Sequence, residues 1–166
     1  MTSLAQPFSR RLGNLPSHQI SPGEPDIRGW LVVGADGRRV GRVRDVLVEL
    51  NSLIARHIEI GLDPSVADRA KAPRIIVPVE GLQVAPIRSL IHLHAVTTHD
   101  LVDVPEFVAA REPVFADTHE ALQRFFRCHE RPADPVDFWR LRRRERATEP
   151  YVRELPKTED TRIRLG

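Results

Sequence analysis

The apolar residues between Trp30 and Val96 come in short runs, and this brevity limits the possible folds more than any other feature. Runs such as Trp30-Leu31-Val32-Val33 and Ile75-Ile76-Val77-Pro78-Val79 end at glycine, proline or charged residues. A helix that crosses a bilayer needs roughly 20 consecutive apolar residues, so neither run serves as one. Short strands separated by turn residues at close spacing suggest a closed or nearly closed barrel. The expected class is mainly β: a small barrel with one or two packed α-helices and extended N- and C-terminal arms.

Local patterns place the strands. Trp30 to Val33 is followed by Ala35-Asp36-Gly37-Arg38, and Asp-Gly between apolar runs signals a hairpin because both residues tolerate positive φ. In the next strand Val46, Val48 and Leu50 alternate with Leu47 and Glu49. Further on, Ile58, Ile60 and Leu62 alternate with His57, Glu59 and Gly61, the period expected when one face is buried and the other wet. More β runs are expected at Arg74 to Val79, Leu82 to Ala85 and Leu90 to Val96. Residues 63 to 73, with Pro64, Pro73, Asp63, Asp68, Arg69 and Lys71, read as an exposed loop. No internal repeat is visible.

One helix is signalled after the barrel. Asp117 can accept from the backbone N–H of Glu120, whose carboxylate can reach back, and Ala121, Leu122, Phe125 and Phe126 form an apolar stripe. A second helix is expected from about Pro135 to Arg146, with Val136, Trp139 and the stem of Arg143 on one side.

The 166 residues suit one domain with tails, and 41% hydrophobic with 29% charged residues can bury a core. Charge is uneven: residues 1–28 hold three basic and two acidic groups, 29–130 twelve and fourteen, 131–166 ten and seven. Eight of the fourteen prolines lie in the flanks, where they oppose helix and favour extended chain. The expected divisions are an N-terminal arm over 1–25, a barrel over 26–97, an extended segment and capping helix over 98–130, and a basic C-terminal arm over 131–166. The flanks read as arms that wrap a partner, or as disorder. Arg10 and Arg11 have no apolar region behind them, so a secretory signal is not expected. Cys128 is the only cysteine, which excludes an internal disulfide and suits a reducing, cytosolic compartment.

The run from Asp26 through Gly29-Trp30-Leu31-Val32-Val33-Gly34-Ala35-Asp36-Gly37 and Val40-Gly41-Arg42-Val43-Arg44-Asp45 to Glu49 resembles the opening of the PRC-barrel family. Its skeleton is a strand, a Gly/Asp turn, then Val-Gly-x-Val-x-Asp. That family includes the cytoplasmic domain of the photosynthetic reaction-centre H subunit and a domain of a ribosome maturation factor. Ala55-Arg56-His57-Ile58-Glu59-Ile60 resembles the third strand of the H-subunit branch, and Ala95-Val96-Thr97-Thr98-His99-Asp100-Leu101-Val102-Asp103-Val104-Pro105 its exit from the barrel. Glu112-Pro113-Val114 and the helix at 117–130 fall where that branch has an extended segment and a helix. The resemblance covers about residues 29–130.

The resemblance implies a non-catalytic subunit that caps the cytoplasmic face of a purple-bacterial-type reaction centre. It would stabilise the complex and shield, or assist proton delivery to, the secondary quinone. The implied partners are L- and M-type membrane subunits, a separate transmembrane anchor because only Met1 to Pro25 precede the barrel, and light-harvesting polypeptides. Bacteriochlorophyll and quinone would belong to those partners, with no cofactor bound by this chain alone. Glu49 and Arg56 match charged positions of the H subunit at the partner surface. Proton relays need groups that exchange protons near neutral pH, and Glu49, Asp45 and His18 are the candidates. Ser52 stands where the family often has a glutamate of the proton-uptake cluster, and a hydroxyl does not carry a proton in the same way. Arg56 is placed either against a partner carboxylate or in an internal pair with Glu49 or Asp45. Asp45 alternatively fixes a turn or pairs with an arginine inside the barrel.

Other clusters read more plainly. His92, His94 and His99 have the spacing of a zinc pair plus a neighbour, against the simpler reading of polar alternation on an outer face. Gly34, Gly37 and Gly41 suit turns and bulges better than a phosphate loop, and no nucleophile sits beside a base in the sequence, so an enzyme is not expected. Arg140, Arg142, Arg143, Arg144 and Arg146 form a basic cluster suited to an anionic membrane surface. The same cluster supports the alternative of an RNA- or ribosome-associated barrel resembling the maturation factor, while DNA is not an expected partner.

Overall fold

The computed structural model describes residues 9–15, 18–20, 25–49, 51–109, 114–130 and 141–143. The strands are β1 (Arg10–Arg11), β2 (His18–Ile20), β3 (Leu31–Val33), β4 (Arg39–Glu49), β5 (Ile54–Leu62), β6 (Arg74–Pro78), β7 (Leu82–Ala85), β8 (Leu90–Leu93) and β9 (Leu141–Arg143). Two α-helices accompany them, α1 (Pro64–Ala70) and α2 (Ala116–Phe125). The main sheet runs β6-β5-β4-β3-β8-β7, antiparallel except for the parallel β3–β8 pair, with β1 added on β4.

This sheet has to curl. Laid flat, a path of six strands places its outer members about 24 Å apart at roughly 4.8 Å per gap. Yet Pro78 at the end of β6 and Leu82 at the start of β7 are joined only by Val79–Gly81, a link that reaches at most about 14 Å. The result is a half-barrel with a mainly β body. Its concave side holds Val32, Val43, Val46, Ile58, Ile60 and Ile91, all fully or almost fully buried.

The β3–β4 hairpin forms where the Asp-Gly signal lies. Gly37 alone adopts positive φ (78°), and its N–H bonds to Gly34 O at 2.9 Å, a tight turn followed by a left-handed glycine rather than two left-handed residues. The register shift between Val32 and Val33 absorbs the extra residue. Gly41 answers a different need: a Cβ there would lie 2.0 Å from Gly61 O, so β4 and β5 approach too closely for any side chain.

Several expectations are corrected. Residues 63–73 contain α1, not only loop. Pro64 occupies its first turn, Val66 and Ala70 are buried one helical turn apart, and Lys71 ends it at φ 57°. Leu47, His57 and Glu59, placed on a wet face by their alternation, are buried. The pairings Leu47–His57–Pro78 and Asp45–Glu59–Ile76 put these residues on the convex face, where the side chains of Ser9 and Arg11 and His119 of α2 meet them. Helix α2 starts at Ala116 and ends at Phe125, and Asp117 accepts from the Thr118 N–H (2.8 Å) instead of capping Glu120. Its apolar stripe does pack on β6: Leu122 and Phe126 are in the core, and Phe126 Cβ closes over Gly81.

The second helix expected over Pro135 to Arg146 is replaced at Leu141–Arg143 by β9, antiparallel to β2, while residues 131–140 and 144–146 lie outside the described residues. Helical spacing is a local signal. Pairing with a strand more than a hundred positions away leaves no trace in it. Part of the N-terminal arm, Ser9 to Leu15, belongs to the folded body: Ser9 bridges Val114, and β1 pairs with Val48 and Leu47. The charged segment after Val96 is pinned through Asp36, which accepts from Thr98 Oγ1 at 2.8 Å.

Candidate functional site

The polar residues of this chain gather around the β4–β5 hairpin. Glu49 ends β4, a turn over residues 51–53 follows with Leu53 at φ 56°, and Arg56 lies on β5. The Glu49 carboxylate accepts from the Ser52 hydroxyl and from Arg56 Nη2 (2.9 Å) and Nε (3.3 Å). The Ser52 hydroxyl holds the Glu49 carboxyl below its usual range; burial opposes this, and the Arg56 guanidinium adds to the lowering. Glu49 is therefore ionised near neutral pH. Of the two placements expected for Arg56, this structure contains the internal pair with Glu49.

One residue further along β5, His57 is at the centre of a buried chain. Its Nδ1 lies 2.7 Å from Ser9 Oγ, and its Nε2 lies 2.8 Å from His119 Nδ1 on α2. The two imidazoles meet edge to face. His57 is 0% and Ser9 1% exposed, whereas His119 is half-buried. Burial, then the neighbouring His119 and Arg56, push the His57 pKa down to about 3. His119 is also lowered, chiefly by burial; Glu80, Glu120 and Glu49 oppose this and Arg56 adds to it.

Next on the same face, the buried Glu59 pairs with Arg11 of β1 and with Arg74 Nη1 of β6 (3.6 Å). A buried carboxylate is tolerated only when paired, and these two arginines supply the pairing. Asp45 seats a turn, one of the roles expected for it: Oδ2 accepts from the Gly13 N–H at 3.2 Å, in the 12–14 turn.

The hairpin brings Glu49, Ser52 and Arg56 together, and the N-terminal segment adds Ser9 and Arg11. His18 lies on β2 of the separate two-stranded sheet, paired with Arg143 of β9. Arg142 and Arg143 lie on β9, while Arg140, Arg144 and Arg146 fall outside the described residues. His92 and His94 are partly buried and His99 exposed; among the described residues no group of three His, Cys, Asp or Glu side chains converges as a metal site.

A serine hydroxyl on an imidazole resembles a nucleophile with its base. Here the depth of Ser9 and His57 leaves no surface on which a substrate could rest. The third member is moreover another imidazole rather than the carboxylate that would stabilise an imidazolium. The chain is suited to holding or passing a proton and to fastening Ser9, β5 and α2 together. Sequence reading missed Ser9, His57, Glu59, Arg11 and His119. The only local signal, polar residues alternating with isoleucine on β5, points to solvent unless a cover for that face is known. No protein-family model matches this chain, and no curated protein is similar to it in sequence.

Proposed function

We propose that this protein is a non-catalytic capping subunit of the PRC-barrel type, docked on the cytoplasmic face of a purple-bacterial-type photosynthetic reaction centre. It would cover the L- and M-type subunits near the secondary quinone, with pigment and quinone held by those partners. One observation carries the reading: the segments with the H-subunit resemblance are consecutive and adjacent in the fold. The run 26–49 is β3, its turn and β4; the segment 55–60 is β5, hydrogen-bonded to β4; and the downstream helix packs on β6.

A cap of this kind works by rigidity and by excluding water, and the satisfied, buried convex face suits that task. Within it, Glu49 acts as a fixed negative charge that orients Arg56 at the hairpin end, since a carboxylate held below its usual range does not change protonation near neutral pH. The test is affinity purification of the tagged chain after mixing with detergent-solubilised L–M cores depleted of their H subunit. Recovery of bacteriochlorophyll absorbance with the tag is expected. A tagged protein recovered free of pigment, while intact H subunit still rebinds the same cores, would overturn the proposal.

A further inference from the structure

The Ser9–His57–His119 chain joins three parts of the molecule that are distant in sequence: the N-terminal segment, the central strand β5 and helix α2. Each link has room for one proton. With His119 Nδ1 committed to His57, Nε2 is the nitrogen left for its surroundings, and the carboxylates of Glu80, Glu120 and Glu49 favour a proton there. His119 Nδ1 then accepts from His57 Nε2–H, and His57 Nδ1 accepts from the Ser9 hydroxyl. All three groups are satisfied with both rings neutral.

Adding one proton need not break this chain. An imidazolium at His119 donates from Nδ1 as well, so His57 Nε2 becomes an acceptor. The His57 proton moves to Nδ1, and that N–H donates to Ser9 Oγ. The charge rests on the half-buried ring, facing three carboxylates and opposed by Arg56. Adding a second proton is different, because His57 would then direct an N–H at the N–H of His119. It would do so at 0% exposure and beside Arg56, while Glu59, the next residue on that face of β5, is already paired with Arg11 and Arg74.

We propose that this chain is a proton-operated latch: it absorbs one proton by reversing its hydrogen bonds, and a second drives His57 and His119 apart. Release unties both Ser9 and α2 from β5, because the same imidazole bonds both, and opening then has the packing of Leu122 and Phe126 on β6 and the Arg11–Glu59 pair left to break. The Ser9–Val114 bridge, which ties the N-terminal segment to the residues just before α2, makes them leave as one piece. The latch is a property of this chain alone and does not depend on the docking partner.

The experiment is NMR of the full chain with isotope-labelled histidine from pH 7.5 to 4, together with hydrogen exchange. As His119 titrates, His57 Nδ1 is expected to change from acceptor to N–H donor while the Arg10 amide, on the β4 side of β1, stays protected. At lower pH, protection of that amide and of α2 is expected to fall together by about tenfold per pH unit, as one proton is taken up on opening. The β4–β5 ladder should stay closed. Ser9→Ala removes the group that receives the reversed bond, and is expected to lower the His119 pKa by up to about one unit through His57 without contact between the two. A His57 tautomer that does not change while His119 titrates, a His119 pKa unmoved by Ser9→Ala, or an Arg10 amide that opens only with β4–β5 would each overturn the latch.

Discussion

Replacing Gly41 with alanine tests the tightest contact in the fold. The new Cβ would lie 2.0 Å from Gly61 O, 2.9 Å from Gly61 C and 3.0 Å from Leu62 Cα, all backbone atoms of the paired strand. No rotamer relieves this, so β4 and β5 must separate by about 1 Å or more to reach ordinary contact. A hydrogen bond such as Asp63 N–H to Val40 O, 2.9 Å long and adjacent to the clash, is then lost, as is a neighbouring bond of the ladder. Two backbone hydrogen bonds at about 1 kcal/mol each, plus about 1–2 kcal/mol of overpacking, give about 3–4 kcal/mol. That is a large share of the roughly 5–15 kcal/mol that stabilises a typical domain. Urea unfolding followed by far-UV circular dichroism measures it, with Gly29→Ala as the control. Gly29 has φ +90° but nothing within 4 Å of its Cβ position, so only backbone strain of about 1–2 kcal/mol is expected there. A Gly41→Ala protein within about 1 kcal/mol of the unsubstituted chain would refute the close approach of β4 and β5.

Acidification should destabilise the fold through His57, whose pKa is about 3 in place and 6.5 ordinarily. Between those values the unfolded chain binds the extra proton, so stability is complete above pH 6.5 and falls by up to about 1.4 kcal/mol per unit as pH drops toward 3. Urea midpoints at pH 7 and pH 4.5 are expected to differ by at least about 2 kcal/mol, and equal values would refute burial of a neutral His57. For the Glu49–Arg56 pair, with side chains 21% and 32% exposed, a double-mutant cycle with Glu49→Gln and Arg56→Met should give a coupling of only about 0.5–1 kcal/mol. A coupling above about 2 kcal/mol would mean that the pair is shielded from water more completely than its exposure implies.

The strands were legible wherever the information is local. Leu82 to Ala85 matches β7 end to end, and the Asp36-Gly37 turn joins β3 to β4, because turn chemistry and the two-residue period are written in neighbouring residues. Helix α1 was not, since its one apolar pair, Val66 and Ala70, is diluted by proline and charge. The helix expected near Leu141 was replaced by a strand because its partner is β2, at the other end of the chain. Of the candidate site, Glu49, Ser52 and Arg56 were legible together because one hairpin carries all three.

The sequence by itself determined a sheet of short strands, its central hairpin and the apolar stripe of α2, since side-chain alternation and turn residues act over a few positions. Only the tertiary structure decided that the convex face of β4–β5 is covered, and so that His57 and Glu59 are buried. Their partners lie at Ser9, Arg11 and His119, 48 and 62 positions away. A polar residue on a strand costs nothing while water reaches it, and it becomes a paired, proton-sensitive group only when a distant segment displaces that water.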